Sequence, residues 1–475
     1  MNFFPDTINK IYLIGICGTG MASLAGLLQE QGFTVCGSDA NVYPPMSDEL
    51  KKQGIPIFSP FDANNLKNAK PDLVIVGNAI TRLNPESKFL LESGLPHVSM
   101  PQALKHFFLK DKEVIVISGT HGKTTTTALM AYLLDRLGLD PSYLIGGVCH
   151  DFGKSFHVGK GKYFVIEGDE YDTAFFDKGP KFLHYNPKHV VMTSIEFDHA
   201  DIYRDLPHVT QSFLKLATII PSHGSLHFCD AYPALNEVAS TYSGPKRCYG
   251  FSTPEWHLDH FESSPMGCHF DLSSHGKKIV SLKAPLSGRH NALNIATCFS
   301  ILENLGLDLQ KAAGFLSSFK GIKRRQEVLY EDPDFIVMDD FAHHPTAVTE
   351  TILAVKSKYP KHRVVAVFEP RSNTSIRDIF QKEYTESFAH ADETLLAPVF
   401  NPKKITDGRI LNVEEIISTL NARQHTAHHF ANATAIIEHL VHHAKKPLVV
   451  LIMSNGGFDN IHSRLIKAWQ DNHRP

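Results

Sequence analysis

Short apolar runs alternate along this chain with stretches whose apolar residues recur at helical spacing, and that alternation is the first bound on its fold. Ile11 to Ile16 (IYLIGI) predicts a strand, glycines 15, 18 and 20 a tight turn, the segment through Leu28 a helix, and the run ending at Gly37-Ser38-Asp39 a second strand. Asp72 to Gly77 (DLVIVG) predicts another strand and Ser87 to Glu92 another helix, until Lys110-Asp111-Lys112-Glu113 breaks the pattern with charge. Val114 to Ser118 (VIVIS) then restarts the same grammar of strand, glycine-rich turn and helix, the helix running from about Thr124 to Leu137.

Strands are expected again at Tyr163 to Glu167 and Val190 to Ser194. Acidic residues or histidines lie near the C-terminal end of each, where open α/β sheets bind ligands. Residues 223–280 are less regular and predict a β-rich excursion. A third alternating segment follows the basic stretch at 320–325, with strands at Phe335 to Met338, Val364 to Phe368 and Leu448 to Ile452. No repeat with a period of about 20 to 50 residues is present, which removes solenoids and propellers.

The chain's 475 residues amount to about three domains of roughly 150 residues. The two breaks place them at 1–111, 112–322 and 323–475. Lys+Arg 47 against Asp+Glu 50 gives a net charge of −3, so no basic field exists to hold nucleic acid or an anionic membrane. The seven cysteines (17, 36, 149, 229, 248, 268 and 298) form no C-x-x-C pair. Neither a disulfide framework nor a zinc ribbon is implied. The paired histidines at 343–344, 428–429 and 442–443 lack the H-E-x-x-H spacing, and no zinc site is expected. With no signal-peptide pattern at MNFFPDTINK and no long apolar span, a cytoplasmic protein is expected, and no obligate protein partner is evident.

Ser118-Gly119-Thr120-His121-Gly122-Lys123-Thr124 sits between an apolar strand and a helix, the context a phosphate cradle requires. Glycines let backbone N–H groups converge on phosphate oxygens, the helix start adds positive potential, Lys123 brings a point charge, and the Thr124 hydroxyl can ligate Mg²⁺. The usual spacing would put the first glycine at Ile117, so the loop is a shortened variant. Gly15, Gly18 and Gly20, with Asp39 further on, resemble a dinucleotide fingerprint whose third glycine is replaced by Ser23; NAD and other pyrophosphate ligands compete for it. Glu167-Gly168-Asp169-Glu170-Tyr171-Asp172 and Glu196-Phe197-Asp198-His199-Ala200-Asp201 crowd carboxylates near the expected nucleotide, more than one Mg²⁺ would use. Lys323-Arg324-Arg325 is either a solvated basic turn or the source of an arginine that stabilises a transferring phosphoryl group.

Taken in order, these motifs resemble those of the Mur ligase family, the ATP-dependent amide ligases of peptidoglycan synthesis, over essentially the whole chain. GTHGKTTTT (119–127) resembles its shortened phosphate loop, SGRHNALNIA (287–296) and KRRQE (323–327) its hinge and adenine-side motifs, and DDFAHHPTAV (339–348) its third-domain signature. IYLIGICGTGM with GSDANVYPPMS is similar to the uridine-nucleotide domain of members that bind UDP-N-acetylmuramate. EGDEYDTAFFDKGPKFLHYNP (167–187), FEPRSNTS (368–375) and MSNGGFDNIH (453–462) are similar to members that attach a preformed murein tripeptide during wall recycling. Members that add L-alanine typically have serine where Tyr171 stands.

The resemblance implies an α/β protein with a Rossmann-like N-terminal domain, a central P-loop ATPase-like domain and a Rossmann-like C-terminal domain. The substrates implied are the small molecules UDP-N-acetylmuramate and the tripeptide, with ATP and Mg²⁺. It places Gly119, Thr120, His121, Gly122, Lys123, Thr124 and Thr125 around the phosphates, with Thr124 and Glu167 on one metal and His199 at a second metal position. His290, Asn291 and Asn294 match the adenine side, Arg325 the phosphate-contacting arginine, and Asp340 with His343 the third domain's contribution. Lys123, Glu167, His199 and Arg325 are the expected catalytic set; Gly15, Gly18, Thr19, Gly20, Ser38 and Asp39 would surround the UDP-sugar. Phe175, Phe176, Arg371 and Asn373 are candidates for the peptide, whose end carries groups that Arg and Asn can pair. The carbamylated lysine of some relatives has no match here; Lys215 lies nearby and is assigned no role. The resemblance implies an acyl-phosphate intermediate, and closure of the third domain about a hinge at 320–325 is expected to keep water from it.

Overall fold

In the computed structural model, which describes residues 4–42, 46–405 and 408–472, the first apolar run becomes β1 (Lys10–Ile14). It shares a sheet with β2 (Thr34–Ser38), β3 (Ile57–Phe58), β4 (Leu73–Val76) and β5 (His97–Ser99). All pair in parallel in the order β3-β2-β1-β4-β5, so the glycine turn after β1 lies at the switch point of a doubly wound sheet. Ile11–Ile14 and Leu73–Val76 are fully buried, which is why they read as unbroken apolar runs instead of alternating ones.

A second sheet is built from β6 (Glu113–Ser118), β7 (Ser142–Cys149), β8 (Lys154–His157), β9 (Tyr163–Gly168), β12 (His189–Met192), β13 (Ser225–Cys229) and β14 (Lys246–Gly250). Its order is β14-β13-β12-β6-β9-β7-β8, with β8 the antiparallel edge. The hairpin β10 (Asp172–Ala174) and β11 (Asp177–Pro180) follows β9. The irregular region of the sequence contains β13 and β14, a helix Pro233–Ser240 that the pattern did not announce, and an antiparallel meander of β15 (Trp256–Ser264), β16 (Gly267–Ser274) and β17 (Lys277–Ala284).

The last sheet comprises β18 (Glu327–Glu331), β19 (Phe335–Asp340), β20 (Arg363–Phe368), β21 (Glu393–Leu396), β22 (Ala427–His429) and β23 (Leu448–Met453), ordered β18-β19-β23-β20-β21-β22 and parallel except for β18. Its two faces carry separate apolar clusters, one around Ile352, Phe368 and Tyr384, the other around Leu395, Ile436 and Trp469. Among the described residues no helix is long and apolar enough to cross a membrane.

The chain divides into two compact units: residues 1–195, 207–256 and 295–315, and residues 196–206, 257–294 and 316–475. The charged break at 110–113 separates two sheets but not two such units. Helix Thr19–Glu30 packs on β7 and β8, where a Cβ at Gly26 would sit 2.0 Å from the Phe156 ring. Ser23 Oγ lies 2.8 Å from Ser155 Oγ, and Glu30 receives Lys154 Nζ at 2.7 Å and the Val158 N–H at 3.0 Å.

Candidate active site

Strand β6 ends at Ser118 and the chain turns through Gly119 at φ 134°. A Cβ there would lie 2.1 Å from Thr193 Oγ1 and 2.9 Å from the Ser194 nitrogen, so only glycine fits. The Thr120 N–H donates to Ser194 O (3.1 Å) and the His121 N–H to Ser194 Oγ (2.8 Å), fastening the loop to the segment after β12. Those two amides are therefore spent on the protein, and the anion-binding potential rests on the start of helix Lys123–Arg136, entered through Gly122 at φ 79°.

Lys123 Nζ donates to Gly119 O (2.5 Å) and to both oxygens of Glu170 (3.1 and 3.2 Å). Burial pulls the ammonium's pKa down, but the Glu170 and Asp169 carboxylates outweigh it and hold it above the ordinary lysine value. The loop lysine is thus fully charged, the state in which an ammonium can pair with a phosphate. In register, Ile117 of β6 pairs with Glu167 of β9, so adjacent strand ends bring the loop and the carboxylates together. Thr124 Oγ1 donates to Glu167 Oε2 at 3.3 Å, while the other carboxylate oxygen accepts from the Gly146 N–H. A hydroxyl and a carboxylate side by side are hard oxygen donors of the kind Mg²⁺ takes, with water completing its shell.

In the first domain the Gly15 and Ile16 N–H groups donate to Ser38 O at 2.8 and 3.0 Å. Asp39 accepts from the Cys17 and Asn41 N–H groups at 2.9 and 3.0 Å. The side chain of Ser38 is fully buried and donates to Glu86 Oε2 (2.5 Å), a contact that braces the loop. Gly18 starts helix Thr19–Glu30 with no capping side chain, and a Cβ at Gly20 would sit 2.9 Å from Met100 Cε. Burial and the Asp39 charge push the Cys17 thiol up to about 11, which makes it a poor nucleophile at neutral pH.

Within the second unit His199, held at φ 57°, follows the buried Asp198. Burial would raise the Asp198 carboxyl, yet the His343 bond and the charges of His199, His343 and His344 hold it well below the usual range. His343 Nε2 lies 3.7 Å from Asp198 Oδ2, and Asn373 Nδ2 donates to Asp201 Oδ2 at 3.0 Å, so the 196–201 segment and the 371–375 loop are brought together. Arg371 lies 3.7 Å over the Phe400 ring and 3.5 Å from Glu369, and a Cβ at Gly456 would meet it at 2.0 Å.

Of the two arginines, Arg324 is the structural one: it pairs with Asp339 (3.2 Å) and donates to Ser454 O (2.6 Å) and Gly456 O (2.8 Å). Arg325 lies 5.0 Å over Phe341. Asp340 is buried and accepts from the Gln326 and Ala342 N–H groups at 2.8 and 2.7 Å; burial raises its pKa against the pull of Arg325. Its observed contacts brace the arginine turn. His290 Nε2 lies 3.3 Å from Gln326 Nε2, Asn291 donates to Ser287 O at 2.8 Å, and Asn294 to Asn291 at 3.3 Å.

Phe175 and Phe176 fall on the apolar cluster of the first sheet, with Phe176 edge-on to His97 at 5.0 Å, a packing position. Sequence reasoning missed Glu170 as the partner of Lys123, Asp198 as the anchor of His343, and Glu86, fully buried and bonded to Tyr12, Ser38, Asp62 and Asn65. Glu170 and Asp198 stood in carboxylate-rich stretches where spacing could not rank them; for Glu86 no sequence signal existed.

Three family models match in order along the chain: Mur ligase family, catalytic domain, over 10–112; Mur ligase middle domain over 117–302; and Mur ligase, glutamate ligase domain, over 324–456. The chain belongs to the Mur ligase family. Membership makes it an ATP-dependent ligase with the family's three-domain α/β fold. A Mur ligase of Escherichia coli (strain K12), UDP-N-acetylmuramate–L-alanyl-γ-D-glutamyl-meso-2,6-diaminoheptandioate ligase, is 37% identical over 462 residues, 96% of this chain and 97% of the relative. UDP-N-acetylmuramate–L-alanine ligase of Clostridium tetani (strain Massachusetts / E88) is 30% identical over 454 residues, 95% of this chain and 97% of the relative. The crystal structure of a murein peptide ligase from Psychrobacter arcticus 273-4 is similar at 36% identity with a TM-score of 0.72, covering 97% of this chain and 98% of that one.

Proposed function

We propose that this Mur ligase joins UDP-N-acetylmuramate to L-alanyl-γ-D-glutamyl-meso-diaminopimelate with ATP, in the recycling of peptidoglycan in the cytoplasm. The carrying observation is similarity at 37% identity over nearly the whole length to a relative named for that reaction, against 30% for one named for the L-alanine reaction. Tyr171 and the 368–375 and 453–462 segments support the same choice of acceptor. Residues 1–111 would receive the UDP-sugar, 112–322 the ATP, and 323–475 the peptide.

In the first step an oxygen of the lactyl carboxylate attacks the γ-phosphorus, the bond to the β,γ-bridging oxygen breaks, and ADP leaves an acyl phosphate. In the second, the α-amine of the tripeptide attacks the acyl carbon and loses a proton, and phosphate departs with the electron pair. The first step brings two anions together, so cations must be in place before it starts. Lys123 supplies one, and it must leave Glu170 for the phosphates, so nucleotide binding exchanges one anionic partner for another. Thr124 and Glu167 would hold Mg²⁺, which when bound supplies charge neutralisation at the phosphates. His199, Arg325 and His343 carry the roles that the family resemblance implies, and Arg371 and Asn373 stand as peptide contacts.

Phosphate release measured in parallel with L-alanine and with the tripeptide, each with UDP-N-acetylmuramate and ATP, tests the acceptor. Turnover only with the tripeptide is expected; equal or faster turnover with L-alanine overturns it.

A further inference from the structure

We propose that Glu393, His428 and His439 form a binding site for one borderline divalent cation of the Zn²⁺ class, built within the last sheet and its covering helix and independent of the ligase reaction. One ligand atom from each of these residues lies within 4.8 Å of the other two.

The fold assembles them from three elements. Glu393 starts β21, and two residues on Leu395 points into the apolar cluster shared with Ile436 and Leu440 of helix Ala433–His442. Alternation along the strand puts Glu393 on the same face. His428 is the register partner of Leu395 across the β21–β22 pair, and so shares that face on the edge strand. His439 lies three residues after Ile436, one helical turn along the sheet-facing side. Its Nε2 is 2.7 Å from Glu393 Oε1, and its ring centroid is 5.0 Å from that of His428.

The donor set selects the ion. Two imidazoles and one carboxylate suit zinc and its neighbours, whereas Mg²⁺ and Ca²⁺ take oxygen. Arg363 Nη2 lies 3.7 Å from the other carboxylate oxygen, Glu393 Oε2, and orients the carboxylate as an outer-shell partner would. A His–Glu ion pair accounts for His439 and Glu393 but leaves His428 without a task. Its ring nitrogens make no hydrogen bond among the described residues, although the ring packs beside His439 and Phe430. Three protein ligands leave one coordination position for water, and a bound ion would tie the edge strand β22 to the helix and to β21.

The test uses the full-length protein, stripped with chelator and kept in excess Mg²⁺, titrated calorimetrically with Zn²⁺ alone. One equivalent is expected to bind and raise the thermal midpoint. His428→Ala, at an exposed position that the fold does not need, and His439→Asn are each expected to weaken that equivalent at least about tenfold. His442→Ala, on the same helix but outside the cluster, is the control and should leave it intact. Co²⁺ loading should give visible bands in the wild type that are lost in His428→Ala. Unchanged Zn²⁺ stoichiometry and affinity in His428→Ala, or an equal loss in His442→Ala, overturns the site.

Discussion

Replacing Lys123 with methionine removes the one charge on which the phosphate loop is centred while keeping most of the side chain's apolar stem. The ammonium lies 3.1 Å from Glu170, whose side chain is 1% exposed against 15% for the lysine. Taking away the cation leaves a carboxylate that water scarcely reaches, and removing one partner of a buried pair costs about 3 to 5 kcal/mol. Uptake of a proton caps this cost: starting from a glutamate value near 4.3, protonation at pH 7 costs about 1.36 kcal/mol per unit, or roughly 4 kcal/mol. We therefore expect about 2 to 4 kcal/mol of destabilisation at pH 7, read as a lower urea midpoint at unchanged slope, together with loss of turnover and retained UDP-substrate binding. The deficit should shrink toward pH 5, because in the variant the native state binds the Glu170 proton more tightly than the unfolded chain, so its stability rises as pH falls. Lys123→Met/Glu170→Gln should recover about 1 kcal/mol or more of the loss. A deficit under about 0.5 kcal/mol at pH 7, or a double variant no more stable than the single, would refute the view that these two charges hold each other.

Gly119→Ala forces a Cβ to within 2.1 Å of Thr193 Oγ1 at φ 134°, and should cost about 2 to 4 kcal/mol and weaken ATP binding. Gly276→Ala, at φ 78° in open space, should cost only about 1 kcal/mol; equal costs at the two sites would contradict the crowding argument. His189, bonded to Ser225 Oγ at 2.8 Å, is pushed down to about 4 by burial and the nearby Lys188. The unfolded chain takes up that proton near 6.5 and the native state does not, so stability should fall by on the order of 3 kcal/mol as pH drops from 6.5 to 4. His189→Gln should flatten that part of the profile; parallel profiles from chemical denaturation would exclude His189 as its source.

The strand–turn–helix grammar was legible because buried parallel strands are apolar on both faces and their binding loops need glycine. Both properties are written locally. That is why the strands Val114–Ser118, Val364–Phe368 and Leu448–Ile452 fall within a residue or so of β6, β20 and β23. The helix Pro233–Ser240 and the packing of Gly26 on Phe156 were not legible. A short helix carries little periodicity, and a close approach between a helix and the edge strand of another sheet is a property of neither alone.

The sequence by itself determined the alternating α/β architecture, the glycine-rich strand-to-helix turn at 118–124 and membership of a ligase family, since each depends on residues adjacent in the chain. Only tertiary structure decided which acid does what. It gave Glu170 to Lys123, Glu167 to Thr124 and Glu86 to Ser38, and it buried Asp198 under His343. It also buried the Ser38 side chain against Glu86, and gathered Glu393, His428 and His439 from three elements where spacing along any single helix showed no metal site. The physical reason is common to all of them. A carboxylate's role is set by the cation or donor within about 3 Å of it and by how much water remains, and neither distance nor solvation is encoded by position along the chain.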